Sequence, residues 1–323
     1  MDNRYGKTSK LDLTMEYRDD KTILSDVFFT APFKIIKPFY DKDYMQVMQI
    51  SVSAGIMEGD KQEISIKALE NSKSEIISQA YEKIHKMENG FAQRSIEIEI
   101  DANSELIYNP LPVIPFKNSA FKNSLSVNLK DSSSKFILNE ILTCGRVYSG
   151  EKFEYKFYNS RVCVRENGRL VFMDNSRYSP DRTDMSNIGM YEGYTHLFNF
   201  VVFNYEYDTE FLKNSVSVFC EENKYIGGVT TGDSNSLIIK ILGDNADRLS
   251  KYSERLVKYF KKYKKWMIKF DLFQLIWYNM MWGVSMNFES LYKLFVMNDS
   301  TTFNRIYNEK FNSQSTIKFD IYI

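Results

Sequence analysis

"SIEIEIDANSELIYN", residues 95 to 109, decides the fold class of this chain. Ile96, Ile98 and Ile100 alternate with Glu97, Glu99 and Asp101, the period of two that sends apolar side chains to one face of a strand and acids to the other. The same period returns as Ile64, Ile66 and Ala68 in "QEISIKAL". It returns again as Leu125, Val127 and Leu129 in "SLSVNLK", after which "DSSS" marks a turn before "KFILNEIL". Strand, polar turn and strand follow one another without a fixed sequence unit, and the chain reads as mainly β.

Between these segments lies "YNPLPVIPFKNSAF", residues 108 to 121, with three of the chain's six prolines. Pro110, Pro112 and Pro115 lock φ, remove backbone donors and push the residues before them away from helix. The stretch is expected to be a stiff corner where the chain leaves one sheet for another. A proline-rich ligand for an aromatic groove is the other reading, but Leu111, Val113, Ile114 and Phe116 would be costly to leave exposed.

"SEIISQAYEKIHKM", residues 74 to 87, is ambiguous, since its residues favour helix and its flanks behave as sheet. Helices are expected later. One spans 208 to 223, and a stronger one runs from Asp244 to about Phe270, where Leu249, Tyr252, Leu256, Tyr259, Phe260, Tyr263 and Met267 fall at helical spacing. Arg255, Lys258, Lys261 and Lys265 fall largely on the opposite side of that helix.

With 323 residues the chain can bury a substantial core. Its 42 basic and 42 acidic residues leave a formal net charge of zero, so no global field calls for nucleic acid or acidic lipid. A protein or small-solute partner is expected. Three cysteines without CxxC spacing, and an N-terminus lacking the apolar core of a signal peptide, point to a reducing, cytoplasmic compartment.

Enzyme motifs are decoys here. "GGVTTGDS" (227 to 234) has a phosphate-loop frame, but Asp233 stands where a lysine is needed, so a glycine-rich hairpin is expected. The only histidines, His85 and His196, sit in no catalytic setting, and Cys144 reads as a small buried hydrophobe. No His or Cys pair has the spacing of a closed metal site.

Six blocks, taken together and in order, carry a family resemblance. They are "LTMEYRDDKTILSDVFFTAPFKIIKPFY" (13 to 40), "SAGIMEGDKQEI" (53 to 64), "SQAYEKIHKMENGFAQRSIEIEI" (78 to 100), "PLPVIPFKNSAF" (110 to 121), "NEILTCGRVYSGEKF" (139 to 153) and "IIKILGDNADRL" (238 to 249). The chain resembles the urease accessory protein family called UreD or UreH over roughly residues 11 to 265. The resemblance implies a mainly β, β-helix-like stack of mixed sheets with a few helices toward the C-terminal part. It also implies a non-catalytic scaffold that binds urease apoprotein and, with UreF and the GTPase UreG, assists nickel delivery to the urease active site. A β-rich protein-binding module of the same fold serving another client is the alternative.

No tightly bound cofactor is expected, only nickel in transit, and weak scattered ligands suit transit better than a closed cage. Where the family's motif residues match, Asp60, Ser78, Gln79 and Glu140 are candidates for lining or supporting an internal nickel route. Asp60 has a rival role in a turn before Ile64. Glu140 interrupts the apolar run "FILNEILTC", where a carboxylate must be exposed, paired or facing a wet cavity. Gly145, Arg146, Gly150 and Glu151 are expected to shape and pin a loop, and Gly90 and Gln93 to belong to a hairpin connection. Glu58 replaces a glycine of the family's motif and either attracts cations or alters the turn.

The organisation expected is a UreD-like β-rich domain over 1–265 and an atypical aromatic-rich extension over 266–323. The extension's apolar run is broken by Lys269, Asp271, Gln274 and Asn279, so a membrane span is not expected. Its aromatic residues are expected to pack on the main domain or on a partner.

Overall fold

Parallel partners cannot be joined by a tight hairpin, so a chain that pairs its strands in parallel must cross over between them. Here the crossovers run through a second sheet. A computed structural model describes residues 8–262 of the protein. In it β1 (Thr8–Arg18) and β2 (Lys21–Phe29) start a first sheet, and β3 (Phe33–Ile35), β4 (Phe39–Asp41) and β5 (Tyr44–Ser51) start a second. The chain returns to the first sheet as β6 (Lys61–Ala68), to the second as β7 (Lys73–Ser78) and β8 (Glu82–Ile84), and back as β9 (Ala92–Ile100). The alternation continues with β10 (Glu105–Asn109) and β11 (Val113–Pro115), β12 (Ala120–Leu129), β13 (Lys135–Thr143), then β14 (Phe157–Glu166) and β15 (Arg169–Tyr178). β16 (His196–Phe203), α1 (Thr209–Asn223), β17 (Ile226–Gly232), β18 (Ser236–Gly243) and α2 (Ala246–Lys262) complete the described chain.

The result is a seven-stranded sheet in the order β15-β14-β12-β9-β6-β1-β2 stacked with an eleven-stranded one whose main path is β17-β18-β16-β13-β10-β7-β5-β3, with β4 paired to β5 and β11 to β13 and β8 off that path. In the first sheet β1, β6, β9, β12 and β14 are parallel, and antiparallel β2 and β15 form its edges. This is the expected β-helix-like stack. Register aligns Leu11, Ile64, Ile96, Leu125 and Val162 in one inward row and Leu13, Ile66, Ile98, Val127 and Val164 in another. These rows meet Met45, Val47, Leu106, Phe136 and Leu138 of the second sheet in a buried core.

The second sheet is covered on its other face too. Ile107, Ile137, Ile141, Phe198 and Phe200 pack beneath Leu212, Val216, Leu249, Tyr252, Leu256 and Phe260 of the two helices. A strand buried on both faces reads as a continuous apolar run, which is why "KFILNEIL" lacks clean alternation. Asp208 caps α1 by accepting from the Phe211 amide at 3.0 Å. Lys261 does not face solvent with its neighbours. Its ammonium lies 2.8 Å from Glu75 and 3.0 Å from Asp41, because the last turn of α2 reaches the buried Glu75 carboxylate of β7.

The ambiguous segment 74 to 87 forms no helix: it holds β7, with parallel neighbours β5 and β10 on its two sides, and the short β8, parallel to β11. The proline segment is the corner expected: it leads from β10 in the second sheet to β12 in the first. "GGVTTGDS" is the β17–β18 hairpin, with Asp233 paired to Arg169 at 2.8 Å. Gly90 and Gln93 are not in a hairpin, since β8 and β9 lie in different sheets. Met267, the end of the expected long helix and all of 266–323 lie outside the described residues. Among the described residues no helix is long and apolar enough to cross a membrane.

The crossovers give the stack two unlike margins. At the narrow margin, passages from first to second sheet are the short turns 69–72, 101–104 and 130–134. At the wide margin, passages between the sheets use the longer connections 52–60, 85–91, 144–156 and 179–195.

Candidate functional site

The inward rows are apolar toward the narrow margin, turn polar in one layer, and become apolar again beneath the wide-margin connections, where Ile56, Ile84, Met87, Phe121 and Tyr155 belong to a second buried cluster. Gln62, Arg94, Asn123, Ser160 and Ser176 occupy one register row across five strands of the first sheet, each in phase with the buried apolar residue two places on or with Asp174. Glu140, Asn199 and Lys240 form a matching row on β13, β16 and β18 of the second. Tyr108, Tyr158, Tyr178, Pro110 and Leu111 close the space between them, a cavity of ≈ 50 Å³. That is room for a few water molecules among polar walls.

Most charges in this layer are committed. Arg94 is buried, ion-paired with Glu82, and donates to Asn123 Oδ1 at 3.0 Å. Lys240 reaches across to Asp174 at 2.7 Å, and Ser176 donates to the other oxygen of Asp174 at 2.5 Å. Burial opposes the Asp174 charge, but these two donors hold its carboxyl below the ordinary range. Burial pushes the phenols of Tyr108 and Tyr178 up to about 12, so both stay neutral donors.

Glu140 differs. It lines the cavity, and burial first and the Asp174 charge second push its carboxyl up to about 7, against the pull of Arg94 and Lys240. The oxygens Asn199 Oδ1 and Ser160 Oγ are buried without a hydrogen-bond partner. A carboxyl that changes charge near neutrality, beside unpartnered amide and hydroxyl oxygens, can bind water or a hard cation and release it again. Among the described residues no group of three or more His, Cys, Asp or Glu side chains comes together as a closed metal site.

The four residues singled out from sequence are not brought together. Glu140 lines the cavity. Ser78 braces its wall, because its hydroxyl accepts from the amide of Leu111, a lining residue, at 2.8 Å. Asp60 folds a turn: its carboxylate accepts from the Met57 amide at 2.8 Å, and its carbonyl accepts from Gln93 N at 2.9 Å. Gln79 is exposed and contributes its backbone amide to Gln49 O at 3.1 Å. Neither Asp60 nor Gln79 lines the cavity. Arg94, Asp174 and Lys240 were missed, although Arg94 shares the phase of Ile96, Ile98 and Ile100, a polar residue at a buried position.

The decoys are structural. Burial pushes the Cys144 thiol up to about 11, the reverse of nucleophile activation. Burial lowers the His196 imidazole to about 4, and its Nδ1 lies 2.7 Å from Thr195 Oγ1. Glu58 shapes its connection, accepting from the amides of Glu88 and Asn89 at 2.6 and 3.1 Å.

Comparison with known proteins gives concordant results. The family described as UreD urease accessory protein matches residues 7–268. The urease accessory protein UreH of Helicobacter pylori (strain P12) is 34% identical over 260 residues, which cover 80% of this chain and 96% of that protein. The urease accessory protein UreD of Acetivibrio thermocellus is 35% identical over 251 residues, 77% of this chain and 95% of that protein. The urease accessory protein UreH of Helicobacter hepaticus is 36% identical over 236 residues, 73% and 91% of the two.

Proposed function

The chain belongs to the UreD urease accessory protein family, non-catalytic chaperones of urease nickel-centre assembly, and from that premise we propose that it binds urease apoprotein and, with UreF and the GTPase UreG, assists nickel delivery. The observation that carries this reading is the family match over residues 7–268, which includes every strand and helix described. In this reading residues 1–265 carry the shared function and 266–323 are an addition to it.

The ion's passage is proposed to run through the inter-sheet cavity, where Glu140 meets it. Nickel entering as a dication favours the ionised carboxylate, and reprotonation near neutrality weakens the hold as it leaves. Asn199 and Ser160 offer neutral oxygens to its hydration shell. Ser78 supports the wall through Leu111, while Asp60 and Gln79 would act from outside the cavity, by shaping the turn before β6 and the end of β7. The test is the nickel content of urease purified from cells with and without this chain, all other accessory proteins being present. Nickel-poor urease in its absence, restored by adding it back, supports the reading; equal nickel rejects it.

A further inference from the structure

A strand at the edge of a sheet offers unpaired backbone groups, and proteins blunt such edges with charge, proline, a bulge or brevity. Of the four strands that end the two sheets, three follow this rule. β2 carries Lys21 and Asp26, and its pairing with β1 is broken between Thr14 and Met15. β15 carries Arg169, Asp174 and Arg177, and its pairing with β14 is broken between Val164 and Arg165. β3 is three residues long, contains Lys34 and follows Pro32.

β17, which ends the second sheet on the other side, has none of these devices. Its seven residues, "IGGVTTG", include no charge and no proline, and they pair with β18 in unbroken register from Ile226↔Leu242 to Gly232↔Ser236. All but Val229 are exposed, and among the described residues no strand pairs with the outer side.

The three glycines of this strand are not alike. A Cβ on Gly227 would meet Ile241 Cγ1 at 2.7 Å, and one on Gly232 would meet Ser236 Oγ at 2.7 Å. A Cβ on Gly228 would meet no described atom within 4 Å, and its φ is not in the left-handed region. Glycine weakens the interior of a strand, and neither packing nor backbone conformation asks for it here. Close approach of a second backbone does ask for it.

We propose that β17 pairs antiparallel with β17 of a second copy of this chain, joining the two sheets across a two-fold axis. With the axis at Val229, Gly228 of each copy lies opposite Thr230 of the other. A charged edge would meet its own charge in such a pair, and this edge has none to meet. The flanks complement themselves. Exposed Glu221, Glu222 and Lys224 precede the strand, and Asp233, 2.8 Å from Arg169, follows it. Antiparallel pairing brings Lys224 of one copy toward Asp233 of the other, and Arg169 toward Glu221 and Glu222. Lys240, across from Gly228 on β18, is already tied to Asp174 at 2.7 Å. One strand pair is a small interface, so the dimer is weak and forms only at high concentration. The proposal goes beyond the reading above and does not depend on it, since neither urease nor an accessory partner takes part.

The test is sedimentation of the full-length chain alone, from about 5 to about 500 μM, for wild type and two double variants. Gly228→Glu/Thr230→Glu and Gly228→Lys/Thr230→Lys each set like charges opposite one another in the pair, and each is first shown to keep the wild-type melting temperature. The expected result is self-association of wild type, about tenfold weaker association of either variant alone, and return to within about threefold of wild type when the two variants are mixed. Wild type that stays monomeric throughout overturns the proposal. So do variants that associate as tightly as wild type, and a mixture no tighter than its components. Amide hydrogen exchange of wild type gives a reading without substitution: protection of 226–232 should rise with concentration, and exchange that ignores concentration overturns the pairing. Each of these failures leaves the proposed function standing.

Discussion

At the narrow margin the turns 69–72, 101–104 and 130–134 lie one on the next, and each is bonded to its neighbour. Ser104 Oγ donates to Leu69 O at 2.6 Å, Ser134 Oγ to Asp101 O at 3.0 Å, and Ser133 Oγ accepts from Asn103 N at 2.8 Å. Asn71 and Asn103 supply the left-handed residues the tight turns need. At the wide margin each connection has its own length and conformation and packs on a small apolar cluster, with the polar layer and its cavity beneath. The two margins close the same stack of strands. One closes it by repetition; the other uses irregular loops, with the Glu140 cavity in the layer beneath them and Val52, Met57, Phe91, Tyr148 and Ile188 exposed on them. Stability is therefore expected to reside toward the narrow margin and function toward the wide one.

The sharpest way to break this contrast is a core truncation on the narrow side. Phe136 is 0% exposed and stacks on Phe203, so Phe136→Ala should cost about 3–5 kcal/mol in denaturant unfolding. A loss below about 1 kcal/mol would show that the dense half does not carry the fold.

A second, smaller effect belongs to Glu140 and depends on pH. Its carboxyl titrates at about 7 in the folded protein against an ordinary 4.5, so the folded state binds the proton more tightly. Stability then falls as pH rises from 4.5 to 7, and the penalty is complete above 7. Glu140→Gln should be more stable than wild type by about 2–3 kcal/mol above pH 7 and no more stable below pH 4.5. Melting curves at pH 4 and pH 8 read this directly; an identical gain at both would mean that the carboxyl is not held protonated by the cavity.

Smaller still is Gly150→Ala, expected to cost about 1 kcal/mol because alanine is strained at φ +79 while its methyl group meets open space. An unchanged melting temperature would mean that the turn at Val147–Ser149 is not held by its left-handed Gly150 cap. The smallest effect sharpens the comparison: Tyr148→Ala should change stability by less than about 0.5 kcal/mol, since the side chain is wholly exposed.

Much of this was legible in the sequence. Alternation marked β6, β9 and β12, and the prolines marked the passage between sheets. Helical spacing placed Leu249, Tyr252, Leu256 and Phe260 on one face, which is the buried face of α2. The fate of 74 to 87 was not legible, because parallel pairing to β5 and β10 overrides local propensity. Lys261 misled for a like reason: its partner Glu75 is 186 residues away along the chain.

The site was half legible. Glu140 announced itself by interrupting an apolar run, and Arg146 with Glu151 form the pinned loop expected of them. Gln62, Arg94 and Asn123 carried a readable signal, polarity in the buried phase of three strands. Asp174 and Lys240 carried none, because only the register of antiparallel β15 and β18 turns them toward each other. Asp60 followed the turn chemistry of Gly59-Asp60, which the local sequence already offered as its rival role.

The most direct test of the account is the nickel content of urease matured with Glu140→Leu in place of the wild-type chain, alongside a pull-down of the assembled accessory complex. Leucine nearly matches glutamate in size and removes the cavity carboxyl that burial pushes up to about 7. The account predicts nickel-poor urease from a complex assembled in full. Urease loaded with nickel as completely as by the wild-type chain would contradict it.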